Sequence, residues 1–215
     1  GNCGASLVEP DLLARKVSDA IKRGFRVAFH ALGDLAVAKA LDSIETAKAQ
    51  SHCRLEHVQL ISAGDKDRLR RCGGVASVQP LHFGQDIPMA LERLGPERLA
   101  RAYPWNSLIQ AGIPLAFGTD FPVAALDALG TLRSAVRRVG EGLSLVQAVE
   151  ALTVGSAQAS GLASPIGRLV QSAPADFVVL DRRLERPEDL EGIQVRGTFA
   201  AGQAVFGEEF GVIFS

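Results

Sequence analysis

Four short apolar runs recur along the chain: Phe25-Arg26-Val27-Ala28-Phe29, Arg54-Leu55-Glu56-His57-Val58, Val75-Ala76-Ser77-Val78-Gln79 and Ile113-Pro114-Leu115-Ala116-Phe117. None alternates cleanly between apolar and polar, so each is expected to be covered on both faces, as in parallel βα units. Stretches of helical spacing accompany them. One runs from Asp11 to a stop at Gly24, and one from a candidate N-cap, Asp34, to about Gln50. Others span Asp65 to Cys72, Trp105 to Ala111, and Leu126 to Val139, and the last opens on a Ser144–Gln147 capping box. The segment between Gln79 and Trp105 reads as irregular. From Ile166 the texture changes to Gly, Pro and β-branched stretches, including Phe177-Val178-Val179-Leu180 and Val195-Arg196-Gly197-Thr198-Phe199. The expected class is α/β, with barrel-like βα units over residues 1–165 and a small β appendage over 166–215.

Polar residues gather where the four runs end. His30 follows the first, His57 ends the second, His82 follows the third and Asp120 closes Phe117-Gly118-Thr119-Asp120 after the fourth. Carboxyl ends of parallel strands open on one side of the sheet, which brings together residues as far apart in sequence as His30 and Asp120. Neutral imidazoles and a carboxylate suit Zn²⁺ or a similar divalent ion with an open position for water, and a neighbouring Asp can carry the proton. Taken singly, a strand-end His is more often a structural hydrogen-bonding group, and an Asp after Gly-Thr a turn residue. Three of the four His at successive strand ends argue for the joint, metal-binding reading.

The remaining candidates carry less. His52 precedes its strand and receives no role. Cys53 and His57 are four apart, which on a strand separates them by about 13 Å and removes them as a ligand pair. Glu56 is expected on the face opposite His57, as a solvent- or helix-facing charge or an orienting partner. Phe83, Tyr103 and Trp105 could line a substrate pocket beside His82 or pack beneath a long loop.

Composition excludes several classes. No run of about 18 uncharged apolar residues occurs, and the first residues lack the basic and apolar regions of an export signal. With 23 Lys+Arg against 24 Asp+Glu and no basic cluster, there is no footprint for a phosphate backbone. Cys3, Cys53 and Cys72 are odd in number and lack C-x-x-C spacing, so they read as reduced thiols of a cytoplasmic protein.

In order, Phe29-His30-Ala31-Leu32-Gly33-Asp34, Leu55-Glu56-His57-Val58-Gln59, Val78-Gln79-Pro80-Leu81-His82-Phe83, Tyr103-Pro104-Trp105-Asn106-Ser107-Leu108 and Ala116-Phe117-Gly118-Thr119-Asp120-Phe121-Pro122-Val123 resemble markers of the amidohydrolase superfamily. The similarity is to its branch of metal-dependent hydrolases that includes the N-substituted formamide deformylases. Ala175-Asp176-Phe177-Val178-Val179-Leu180 is similar to the segment where that family re-enters its small β-sandwich. The resemblance extends from about Pro10 to Phe206. It implies a TIM-type (β/α)₈ barrel in which His30 and His57 are metal ligands of the fifth and sixth strands and Asp120 is the catalytic, metal-contacting Asp of the eighth. His82 matches the pocket motif after the seventh. The chain departs from the pattern in having no His-x-His pair, and its first expected strand corresponds to the family's fifth. A complete barrel needs about 250 residues, so the expectation is the C-terminal half of a barrel with part of the sandwich. Gln171-Ser172 stands where the family has a Pro-Gly turn.

The function expected from this resemblance is metal-dependent hydrolysis of a non-peptide C–N bond, an amide or formamide, by metal-activated water, Zn²⁺ being the first choice of ion. Its partners would be a small-molecule amide and either a second copy or a chain bearing the N-terminal half, because half a barrel should expose the strands around Phe29 and Phe117 as open edges. The alternative is a catalytically silent half-barrel that binds or scaffolds. An open, doubly wound sheet ranks third, since no G-x-G-x-x-G phosphate turn is present.

Overall fold

A computed structural model of the chain describes residues 8–162 and 165–210. Helix α1 (Pro10–Lys22) starts on a proline at its first turn and is followed by strand β1 (Val27–Ala31) and helix α2 (Asp34–Ala47). Gly33 rather than Asp34 takes the N-cap position of α2. Asp34 is the first helical residue, where its charge still complements the helix N-terminus. Strand β2 (Cys53–His57), helix α3 (Ala63–Arg71) and strand β3 (Val75–Val78) follow. Ser62 caps α3 by accepting from the Asp65 N–H, and Arg68 on α3 binds Asp42 and Glu45 of α2 together with Asp65, joining the two helices.

The 79–105 segment is not irregular. It forms α4 (Pro80–Ala100), two helical pieces that meet at Gly95 (φ 72°, ψ 167°). Pro80 opens the first piece and Pro96 the second, where the missing N–H is harmless, while Pro88 lies within the first piece. Helix α5 (Trp105–Gln110), strand β4 (Leu115–Phe117) and helix α6 (Ala128–Arg137) come next. α6 is shorter than its apolar stripe suggests: Leu129, Leu132 and Val136 pack inward, while Leu126 and Val139 at its two ends are 76% and 85% exposed.

The four strands pair in parallel in the order β1-β2-β3-β4. Each new strand is added on the same side, with no reversal, which is the winding of a (β/α) barrel segment and not of a doubly wound sheet. The registers Ala28↔Arg54, His30↔Glu56, Glu56↔Ser77 and Ser77↔Ala116 place these residues on one face. The opposite face, with Phe29, Ala31, Leu55, Val78 and Phe117, is buried under the helices. On the first face Arg54 pairs with Glu56 at 2.5 Å and donates to the Ala159 carbonyl at 2.9 Å.

Among the described residues only one of the two expected open edges is open. After α6 comes α7 (Leu145–Glu150), which carries the expected Ser144–Gln147 capping box, then a π-helical turn (Ala151–Gly155) and α8 (Ser156–Ala159). The π turn brings the Ser156 hydroxyl to the free edge of β4, where it donates to the Phe117 carbonyl (2.9 Å) and lies 3.3 Å from the Phe117 N–H. A Cβ at Gly155 would collide with the Leu115 carbonyl, so this close approach requires glycine. Among the described residues β1 pairs with β2 alone.

The separate antiparallel sheet β5-β6-β7 (Phe177–Leu180, Val195–Ala200, Gln203–Phe206) turns between β6 and β7 at Ala201 and Gly202, both with positive φ, as a two-residue hairpin loop requires. Leu190 and Ile193, between β5 and β6, are buried in the same core as the βα units. Among the described residues no helix is long and apolar enough to cross a membrane. Cys53 and Cys72 are free and buried, and Cys3 lies outside the described residues.

Candidate metal centre

His30 stands on the first face of the sheet near the end of β1 and is exposed. Strand alternation alone would send His57 to the opposite face, since its register partner is Ala31. The backbone prevents this. His57 has φ 74° and Val58 φ 45°, and the Val58 N–H donates to the Glu56 carbonyl at 3.0 Å, closing a three-residue turn centred on His57. Its ring consequently meets His30 edge-on, centroids 4.5 Å apart, with His57 Nε2 3.1 Å from His30 Nδ1. Glu56 stays on the His30 face and its charge is taken by Arg54.

His82 is buried in the first turn of α4, its ring stacked on that of His57 at 6.1 Å. Asp120, after β4, is exposed and left-handed (φ 58°), and its carbonyl closes a turn to the Val123 N–H. The main chain of Asp120 thus makes the turn that its sequence context suggests, without using its carboxylate. One ligand atom from each of His57, His82 and Asp120 lies within 4.8 Å of the others.

A divalent cation fits this donor set. His57 Nδ1 and His82 Nε2 are buried without a hydrogen-bond partner, which is costly unless something occupies them; both residues belong to the His57, His82 and Asp120 group, which does not include His30, whereas His57 Nε2 is the nitrogen that faces His30. Two nitrogens that each sit about 2.0–2.1 Å from one zinc ion lie roughly 3.0–3.4 Å apart, which matches the His30–His57 separation. Burial, and then the neighbouring His30, lower the pKa of His57 against the opposing pull of Asp120, so the ring is kept neutral, the form that ligates.

The aromatic residues sit behind these groups. Phe83, half-buried, packs edge-on against Tyr103 (5.2 Å) and Trp105 (6.1 Å), and the Arg138 guanidinium lies 4.5 Å from its centroid. Trp105 is 1% exposed and belongs to the core, and Tyr103 is 3% exposed. A cavity of about 190 Å³ opens beside the loops that leave β1 and β2, with Tyr103, Leu32, Leu60, Met89 and Leu94 in its wall, and Phe83 lines a separate one of about 360 Å³. His52 is exposed and remote from the cluster in register. The sequence reading brings His82 to the same face as His57 and Asp120 but assigns it to the pocket, not to the group of possible ligands that it forms with them. It missed Asp86, one helical turn beyond His82, whose signal was hidden once the prolines and glycines of 80–100 had been read as loop.

The amidohydrolase family model matches residues 3–206. Protein LONG AFTER FAR-RED 3 of Arabidopsis thaliana is 32% identical over 95% of this chain and 38% of its own length, and the putative amidohydrolase YtcJ of Bacillus subtilis is 32% identical over 94% and 41%. The N-substituted formamide deformylase of Arthrobacter pascens is 27% identical over 76% of this chain and 33% of its own length. The crystal structure of an uncharacterized metal-dependent hydrolase from Pyrococcus furiosus superposes with a TM-score of 0.72 at 31% identity, over 78% of this chain and 36% of that one. The chain thus spans about two fifths or less of the length of these relatives. The four parallel strands are part of a TIM-type barrel of the same kind, and the chain belongs to the amidohydrolase family of metal-dependent hydrolases.

Proposed function

We propose that this chain forms the C-terminal half of a hydrolase barrel acting on a non-peptide C–N bond, an amide or formamide, with His30, His57 and Asp120 holding a divalent ion, Zn²⁺ first. The observation that carries the reading is the 3.1 Å approach of His30 Nδ1 to His57 Nε2, with the Asp120 carboxylate close to the same imidazole. A divalent ion held there would supply Lewis acidity for the carbonyl and lower the pKa of water.

The chain's own residues do the rest. Asp120, exposed at the mouth of the site, takes the proton of the attacking water and returns it to the leaving nitrogen. His82, buried against His57, presents a polar edge to the substrate. The cavity walled by Leu32, Leu60 and Leu94 accepts an apolar substituent of the amide. Free, buried Cys53 and Cys72 support a reducing compartment, the cytoplasm. The free edge of β1 supports pairing with an N-terminal half-barrel or a second copy.

Metal analysis of the purified chain, alone and combined with a family N-terminal half, followed by a panel of formamides and amides, tests the proposal. Zinc retained by wild type and lost from a His30→Ala/His57→Ala variant is expected, together with turnover of at least one formamide or amide by the complemented protein. Equal zinc content in both proteins would remove the site, and metal binding without turnover on the panel would favour a silent scaffold.

A further inference from the structure

His57 reaches the site only because its backbone is left-handed, and so is that of the β-branched Val58 beside it. Such conformations are costly and persist only where the surroundings over-determine them. Two main-chain bonds help: Val58 N–H to the Ala31 carbonyl (3.1 Å) and Leu60 N–H to the Leu32 carbonyl (2.9 Å). Both tie the loop to β1, and neither reaches α4.

The link to α4 is made at Gln59. Its carbonyl accepts from the Tyr103 N–H at 2.7 Å, and its side-chain amide donates to Asp86 Oδ2 at 3.2 Å. The same Oδ2 accepts from the Tyr103 hydroxyl at 2.7 Å. Gln59 is thus gripped on main chain and side chain by two residues that also bind each other. Asp86 stands four residues after His82 on α4, so both lie on one face of that helix. We infer that Asp86 is a positioning residue for the site: its carboxylate clamps the 57–60 loop to the helix that carries His82, and thereby fixes His57 in its left-handed conformation. The link from this clamp to metal binding rests on the proposed metal centre; the clamp itself does not.

The test uses the 215-residue chain and its Asp86→Ala, Asp86→Asn and Gln59→Ala variants, read in two ways. In the metal-free protein, the Cα and Cβ chemical shifts of His57 and Val58 report the left-handed backbone. Asp86→Ala and Gln59→Ala are expected to move them toward extended values while shifts in α6 stay put, with Asp86→Asn, which keeps an acceptor for Tyr103, between them and wild type. With Co²⁺ as probe, affinity is expected to fall about tenfold to a hundredfold in Asp86→Ala, the range seen when a ligand's orienting partner is lost. A part that is only structural would lower the unfolding midpoint and leave the His57 and Val58 shifts in place, and that result overturns the inference. If Asp86→Ala does not fold, unchanged shifts in Gln59→Ala overturn it equally. A wild type that shows left-handed shifts but binds no Co²⁺ rejects the metal centre, and the shift comparison still decides the clamp.

Discussion

His57 Nε2 faces His30 Nδ1 at 3.1 Å, a distance at which two ring nitrogens share either one proton or one cation. With His57 kept neutral by burial, the pair is ready for the cation. His82 approaches His57 by stacking, ring over ring, and one of its ligand atoms lies within 4.8 Å of one from His57 and one from Asp120. An ion held between His30 and His57, as proposed, requires that loss of His30 weaken Zn²⁺ binding far more than loss of His82. Calorimetric titration of His30→Ala and His82→Ala is expected to give at least about a tenfold difference in affinity between them, the scale of a lost ligand against a lost neighbour. The reverse order would move the ion to the His57, His82 and Asp120 group.

Asp120 occupies a left-handed position whose turn is made by its carbonyl, so Asn, which tolerates that backbone better than most residues, should preserve the fold. What Asn lacks is the ability to take a proton. In the chain complemented with an N-terminal half, Asp120→Asn is expected to lower kcat by about 10²-fold or more with the melting temperature unchanged. Near-normal turnover would leave the residue with its turn alone.

Tyr103 is the only tyrosine of the chain, so tyrosinate absorbance reads it alone. Burial first, and then the hydrogen bond and charge of Asp86, push its pKa well above the ordinary value, while Arg138 opposes them. The folded phenol holds its proton where an unfolded one, with a pKa of about 10, gives it up. Its contribution to stability is therefore complete below about pH 10 and drains away as the pH rises past that value. Stability curves across the alkaline range should fall more steeply for wild type than for Tyr103→Phe. Tyrosinate appearing at the ordinary pKa in the folded chain would contradict the Asp86 bond.

What was legible in the sequence was what repeats. The βα rhythm, the second sheet and the strand-end positions of His30, His57 and Asp120 follow from apolar runs and the direction of parallel strands. Strand limits shifted by up to two residues: Phe25, 63% exposed, falls before β1, and His30 and Ala31 lie within it. Two features could not be read. α4 is built from segments rich in Pro and Gly that look like loop until Pro80 and Pro96 are seen to open helices and Gly95 to join them. The inward turn of His57 breaks the alternation rule through non-glycine residues in left-handed conformations, for which the sequence carries no mark, because the restraints come from Ala31, Leu32, Tyr103 and Asp86 on other elements. The same holds for β4, whose edge is covered by Ser156, 39 positions away in sequence.

With β4 sealed, association should proceed through β1. Its edge, unpaired among the described residues, adjoins Ala28 and His30, which are exposed on the face that other strands of a complete barrel would cover. Unprotected edges recruit further strands, and an inward-pointing lysine is a natural way to block them. The isolated chain is therefore expected to sediment above its monomer mass of 22.7 kDa at micromolar concentration, and Ala28→Lys to return it to monomer without changing helix content. Ser156→Ala, which strips the cover from β4, should increase association beyond wild type by uncovering a second edge. A wild type that remains a compact monomer, with Ser156→Ala indistinguishable from it, would mean that the β1 edge is not sticky and that the cover on β4 is not what protects that side.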